Sequence, residues 1–324
     1  MVKIDVLYSF LWSAVYLGAF FLARNYDYNI IRGLFYYLGF LNFSFIAIAL
    51  YGLIYLIQKL FKLKNCLSKK SVILFFIISP LIISAVAIYN FQKGISIEEI
   101  EIKSEKLTKE YRFLQVSDIQ YGTVTKRYFD RVIKLITEQN VDFVVFTGDL
   151  VDFDQYSEED LLVLNTIDVP VYFERGNHEF YHFPEKILAT LEKTGNVDVL
   201  LNEKVSFGEI DVIGIDYQTD SDKYKELIKS IDINKNQFSV LLYHEPKNVE
   251  YSAELGFDLL LYGHTHGGQI WPFTELVDYI YTYGDGLHKI GQSHIYTSDG
   301  AALWGPRMRL GSQNEMVIFS VSPK

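Results

Sequence analysis

The chain has 324 residues, with 30 Lys plus Arg against 40 Asp plus Glu and a formal net charge of −10. Its single cysteine, Cys66, excludes a disulfide framework and any zinc site built on several thiolates. Residues 1–91 hold eight basic residues and two acids, leaving 22 basic against 38 acidic residues downstream; that excess of acid argues against a DNA or RNA partner and discourages flat docking on an anionic bilayer.

Three stretches near the N-terminus, Val6–Ala23, Gly33–Ile57 and Ser71–Phe91, contain no Asp, Glu, Lys or Arg. Each is close to or above the ~20 apolar residues a helix needs to cross a bilayer, so three transmembrane helices are expected. The competing reading, three buried helices of a soluble core, would need a covering shell that no nearby sequence supplies. The first run exceeds the ~7–15 residues of a signal-peptide core, and its leader is almost uncharged, so a retained anchor is expected. Gln58–Lys70 carries five lysines and no acid, which places that loop in the cytoplasm and everything after Phe91 outside. Residues 1–91 therefore read as a membrane anchor in the lipid bilayer. Gln92–Glu110, rich in Glu and Lys, reads as a strand-and-linker region, and 111–324 as one further domain.

From Tyr111 onward, short apolar runs alternate with helical patterns. Arg112–Ser117, Asp142–Phe146, Val171–Glu174, Asp211–Ile215, Ser239–Tyr243, Asp258–Tyr262, Ser293–Thr297 and Met316–Val321 read as strands. Lys126–Glu138 sets Tyr128, Val132, Ile133 and Ile136 at helical spacing; further helices are expected around Glu185–Lys193, Asp222–Ile231 and Asn248–Leu255. The alternation predicts an α/β domain whose ligands gather where strands end in loops.

Five blocks follow such strands: Asp118-Ile119-Gln120, Gly148-Asp149, Gly176-Asn177-His178-Glu179, His244, and Gly263-His264-Thr265-His266. Their side chains are carboxylate, amide and imidazole, donors that suit Mn²⁺, Fe, Zn²⁺ or Mg²⁺. Any one block has an ordinary explanation, such as a helix cap, a turn former or a hydrogen-bonded core histidine. Their joint occurrence, in order and always at strand ends, is what points to a metal site. His182, His288 and His294 belong to no block and read as surface or packing residues.

This set closely resembles the calcineurin-like metallophosphoesterase superfamily, and the strings FTGDLVD, RGNHE and YGHTHGGQI look most like its bacterial membrane-associated branch. The resemblance runs from about Phe113 to Val321. It implies a four-layer αββα sandwich and a hydrolase of phosphate ester or pyrophosphate bonds that uses two divalent metals and a metal-bridging hydroxide. By position, Asp118, Gln120, Asp149 and His266 would surround the first metal, and Asp149, Asn177, His244 and His264 the second, with Asp149 shared. His178, not a ligand in the family, would stabilise developing charge or protonate the leaving oxygen. Arg175 fits a strand-end salt bridge first and a phosphate contact second. The family usually has His where this chain has Gln120, whose amide oxygen is a harder, weaker donor; the first site should bind less tightly, turn away from Zn²⁺ and favour added Mn²⁺.

No motif selects among monoester, phosphodiester and pyrophosphate. Ile270–Tyr283, with Trp271, Phe273, Leu276, Val277, Tyr279, Ile280, Tyr281 and Tyr283, reads first as a hydrophobic flap packed on the domain and second as a lip touching lipid. Three anchoring helices make a lipid-borne or cell-envelope phosphoester the candidate substrate. Two other functions stand beside the enzyme. One is a non-catalytic, membrane-tethered metal-binding or sensor module that lost turnover through Gln120. The other is a transporter subunit, weakened because the three apolar runs hold no charge to mark an ion path.

Overall fold

The computed structural model describes residues 28–62, 68–152, 156–181 and 184–324. The chain divides into two compact units, one ending at Gln92 and including Gly305–Met308, the other formed by Lys93–Trp304 and Arg309–Lys324.

The first unit contains helices α1 (Tyr28–Leu60) and α2 (Lys69–Gln92). Within them, Gly33–Leu60 and Lys70–Gln92, 28 and 23 residues, are long and apolar enough to cross a membrane. In the most apolar window of each, only 11% and 17% of the residues are buried. Phe45, Ile48 and Leu53 on α1, and Leu74, Ile77 and Leu81 on α2, stay exposed. A core helix of a soluble protein would hide such side chains; a helix apolar all round needs an apolar surrounding. The two helices meet through an edge-to-face contact of Tyr51 and Phe76, with centroids 5.2 Å apart. The expected span Val6–Ala23 and Cys66 lie outside the described residues.

In the second unit the strands are β1 (Ser96–Ser104), β2 (Tyr111–Val116), β3 (Phe143–Thr147), β4 (Val171–Glu174), β5 (Val197–Val199), β6 (Glu203–Phe207), β7 (Ile210–Gly214), β8 (Phe238–Leu242), β9 (Leu259–Tyr262), β10 (Gly286–Ile290), β11 (Ser293–Thr297) and β12 (Glu315–Pro323). The helices are α3 (Lys126–Thr137), α4 (Glu158–Leu161), α5 (Asn177–Tyr181), α6 (Pro184–Glu192), α7 (Ser221–Ser230), α8 (Val249–Glu254) and α9 (Phe273–Ile280). They form two six-stranded sheets, ordered β1-β12-β2-β3-β4-β5 and β10-β11-β9-β8-β7-β6. β2 through β5 run parallel, as do β7, β8, β9 and β11.

The central strands alternate their side chains between two apolar layers, the consequence of a period of two. Phe113, Phe143 and Val145 of the first sheet share one cluster with Val212, Val240 and Leu261 of the second, and Phe113 stacks on Phe143 at 4.8 Å. On the other face of the first sheet, Leu114, Val116 and Phe146 pack against Phe129, Val132, Ile133 and Ile136 of α3. On the other face of the second, Leu241, Leu260 and Tyr262 pack against Tyr224 and Ile228 of α7 and Val249 of α8.

Most strands form where the alternation of apolar runs predicts, within a residue or so at each end. The stretch expected as strand and linker, Gln92–Glu110, supplies β1, paired along its whole length with β12. Its charged residues Glu99, Glu101 and Lys103 point outward on an edge strand, which is why the bounds of the expected strand could not be read from an apolar run. β5, β6 and β10, also at or near sheet edges, have no counterpart in the periodicity reading, and neither do α4 and α9.

Candidate metal centre

Parallel strands end at the same edge, so the turns after β2, β3, β4, β8 and β9 meet there. The backbone ties them together. Asp118 N donates to Gly148 O (3.1 Å), Gln120 N to Asp149 O (2.9 Å) and Gly263 N to His244 O (2.9 Å). Gly176 and Gly263 are the close approaches: a Cβ on Gly176 would collide with the Asp149 carboxylate, and one on Gly263 with Ser117 and Asp118.

The side chains converge on Asp149, which is almost fully buried. Its Oδ1 accepts from the His178 backbone amide (2.9 Å) and its Oδ2 from the Gln120 side-chain amide (2.7 Å). His244 Nε2 lies 3.2 Å from Oδ2. On one side, His266 Nε2 is 3.4 Å from Asp118 Oδ1. On the other, Asn177 Oδ1 is 3.0 Å from His244 Nε2 and 2.8 Å from His264 Nδ1. Donor atoms of Asp118, Asp149 and His244 all lie within 4.8 Å of one another, a spacing one cation could span. The structure thus brings together all seven residues of the expected ligand set.

The donors fit divalent cations on two further counts. Asp118 Oδ1, Gln120 Oε1 and His266 Nδ1 are buried without a hydrogen-bond partner; a buried acceptor left that way costs about 1–3 kcal/mol, and a cation would relieve it. Burial and the neighbouring His244 push His264 down to about 4, and burial with Arg309 pushes His266 down to about 3, so both imidazoles are neutral and free to ligate. Burial would raise Asp149, but His244 and His178 outweigh it and hold the carboxylate low. Burial raises Asp118.

Backbone strain concentrates here. Asp118, Gln120, Asp149, His264 and His266 have φ between 52° and 72°, five of the nine non-glycine residues with positive φ among those described. Left-handed conformations persist only where surroundings enforce them, and they cluster at functional sites.

His178 stands beside the cluster: its Nδ1 is 2.7 Å from Asp152 Oδ1 and its Nε2 3.8 Å from Asp149 Oδ2. Burial would depress it, but Asp149 and Asp152 raise it to about 9, leaving an imidazolium at neutral pH. Arg175 donates to both oxygens of Asp216 (2.8 and 2.7 Å), the strand-end salt bridge expected of it. Sequence reasoning missed two residues. Asp152 orients His178, and it lies inside the string FTGDLVD, three residues after Asp149. Glu179 accepts from the backbone amides of Asp149 (2.9 Å), Val151 (2.9 Å) and Gly176 (3.0 Å), clamping two of the turns that carry the cluster. His288 bonds the carbonyl of Asp285, His294 lies on β11, and His182 is outside the described residues.

Buried carboxylates and imidazoles gathered at the strand ends, with the His178 imidazolium beside them, define the class: a metal-dependent hydrolase of phosphoesters. Residues 111–268 match the family described as calcineurin-like phosphoesterase. An uncharacterized metallophosphoesterase of Campylobacter jejuni is 31% identical over 264 residues, covering 78% of this chain and 71% of that protein. One of Helicobacter pylori is 34% identical over 249 residues, covering 72% and 67%. The chain belongs to the calcineurin-like phosphoesterase family. A transmembrane protein with metallophosphoesterase domain from Bos taurus is 26% identical over 277 residues, covering 75% of this chain and 61% of that protein.

Proposed function

We propose that the chain is a membrane-anchored phosphoesterase that works with two divalent metals, manganese favoured, shared by the Asp149 carboxylate. The observation that carries this reading is the position of Asp149 between two donor groups, Asp118–Gln120–His266 and Asn177–His244–His264, with unpartnered buried acceptors in the first. Two bound dications would supply a hydroxide near neutral pH and charge to hold the phosphoryl oxygens. The residues do the rest. Asp152 fixes the His178 ring, and His178 in its charged form neutralises phosphoryl charge or protonates the leaving oxygen. The apolar layers on both faces of both sheets support a four-layer αββα arrangement.

For the anchor we propose three membrane spans, the first at Val6–Ala23, with the Lys-rich loop Gln58–Lys70 cytoplasmic and the phosphoesterase domain outside. The domain's acidity favours a substrate that is not nucleic acid. α9 supports a lipid-borne ester: it buries none of its residues, and Phe273, Leu276 and Ile280 stand exposed at helical spacing. Its far end adjoins the cluster, where Tyr281 Oη donates to Glu245 (2.9 Å) and the Tyr281 ring is 6.3 Å from that of His264. Trp304, exposed, lies 6.3 Å from His178.

The test is hydrolysis of a chromogenic phosphodiester by the detergent-solubilised full chain, with Mn²⁺ added, beside the Asp149→Ala variant. Turnover abolished by the substitution supports the enzyme. Absence of turnover with every divalent metal would favour the non-catalytic metal-binding module instead.

A further inference from the structure

Among the described residues, Arg309 is the largest that is completely buried, and it belongs to no motif. Its guanidinium gathers backbone from two places. Nη1 donates to His266 O (2.6 Å) and to Ser312 Oγ (2.9 Å). Nη2 donates to Asp299 O (2.7 Å), Ala302 O (2.5 Å) and Gly300 O (3.5 Å), and Nε to Asn314 Oδ1 (3.0 Å).

One of these carbonyls is that of His266 itself, and the others belong to a segment packed against Asp118. The His266 turn is an improbable piece of backbone: His266, Gly267, Gly268 and Gln269 have φ of 52°, 54°, 68° and 59°, four positive values in succession. The segment containing Arg309 pins both ends of that run. Arg309 holds His266 O, while Leu310 N (3.0 Å) and Ser312 Oγ (3.1 Å) hold Gln269 O. The Asp299–Ala302 segment lies along Asp118: Ala301 N donates to Ser117 O (2.8 Å), Ala302 N to Asp118 O (3.1 Å), and a Cβ on Gly300 would come within 2.8 Å of Asp118 Cβ. One guanidinium therefore sets where His266 and Asp118 stand relative to each other. A guanidinium offers five donors in a rigid plane; a lysine ammonium offers three from one point and cannot reach both segments at once.

We propose that Arg309 is a positioning residue that holds Asp118 and His266 in register, so that its loss empties the first metal position while leaving the second occupied. This rests on the two-metal reading above. The second group is held by its own contacts, Asn177 Oδ1 lying 3.0 Å from His244 Nε2 and 2.8 Å from His264 Nδ1, and meets the first through the His264 backbone amide, which donates to Asp118 Oδ2 (3.0 Å); the larger effect should therefore fall on the first site.

The experiment titrates Mn²⁺ into the metal-free full chain in detergent, with stoichiometry and the electron paramagnetic resonance spectrum as readouts. The wild type is expected to bind two ions and give the spectrum of an exchange-coupled pair. Arg309→Lys and Arg309→Met should bind one ion under the same conditions, give the six-line spectrum of an isolated Mn²⁺, and weaken the other site 10- to 100-fold. Near-ultraviolet circular dichroism establishes that the variants are folded. Ser312→Ala, which removes one shared contact and keeps the guanidinium, guards against variants that do not fold; it should weaken the same site by a few-fold and spare the other. A folded Arg309→Met or Ser312→Ala with two ions, a coupled spectrum and unchanged affinities overturns the role of Arg309. A wild type that never binds two ions overturns the two-metal reading itself, and the proposal with it.

Discussion

The side-chain amide of Gln120 donates to Oδ2 of Asp149 at 2.7 Å, while its own Oε1 is buried without a partner. The carboxylate at the centre of the cluster is thus partly neutralised by a hydrogen bond at the position where the family usually places an imidazole. An amide has only one weak oxygen donor to offer a cation. Gln120→His should therefore raise the affinity of the first site for Mn²⁺ by roughly tenfold, about 1.4 kcal/mol, and raise that for Zn²⁺ by more. Isothermal titration of the metal-free chain reads this directly. Superimposable titrations for variant and wild type would remove Gln120 from the ligand set.

His178 gives a second outcome because its two partners assign it a charge. Against burial, Asp149 and Asp152 raise it to about 9 in the metal-free site, so there it is protonated at neutral pH; bound dications would offset the pull of Asp149 and bring that value down. His178→Gln keeps a hydrogen-bond donor but no proton to transfer, and should lower kcat by roughly 10²-fold or more while the chain still binds two ions. The alkaline limb of the pH–rate profile should vanish with the imidazole. A variant that retains that limb would show that another group titrates there.

What the sequence made readable and what it hid follow from the range of each interaction. Asp118, Asp149, Asn177, His244, His264 and His266 stand out because strand, turn and donor are neighbours in the chain. Glu179 was visible only as the last letter of a string; that its carboxylate caps three amides from two turns depends on β3 and β4 lying side by side. Arg309 meets His266 from 43 residues away and carries no motif. The left-handed backbone of Asp118, Gln120 and Asp149 has no sequence signal either, because aspartate after a strand is ordinary and the strain is imposed by packing. Strand β6 escaped because an edge strand carries charge that breaks the apolar run, and β1 is expected only within a strand-and-linker stretch without bounds of its own.

Variants of α9 test the proposed lipid substrate against a soluble one. Phe273, Leu276 and Ile280 face solvent at i, i+3 and i+7, an arrangement that costs a soluble protein and serves one working at an interface. Phe273→Ser with Ile280→Ser should leave turnover of a water-soluble chromogenic diester unchanged and lower turnover of a phospholipid ester in mixed micelles by tenfold or so. Equal losses on both substrates would mean that the helix supports the fold and has no part in recognition.

Glu315, which is outside the ligand set, offers a stability test. Burial first, then the neighbouring Asp299, raises its carboxyl from 4.5 to about 7, even though Oε1 accepts from Tyr296 Oη (2.8 Å), Ser298 Oγ (3.1 Å) and Asp299 N (3.0 Å). Below pH 4.5 both the folded and the unfolded chain hold this proton. Between 4.5 and about 7 the folded chain still holds it and the unfolded chain has lost it, so the stabilisation present at low pH drains away as pH rises. The total is on the order of 3 kcal/mol, because each pH unit separating the folded and unfolded pKa values is worth about 1.36 kcal/mol. Glu315→Gln accepts the same hydrogen bonds through its amide oxygen and never ionises. Unfolding of the full chain in detergent, followed at about pH 4.5 and about pH 7.5, should show the glutamine variant gaining about that much on the wild type at the higher pH. A gap between the two proteins that stays constant across this window would mean that Glu315 keeps an ordinary carboxylate pKa in the fold.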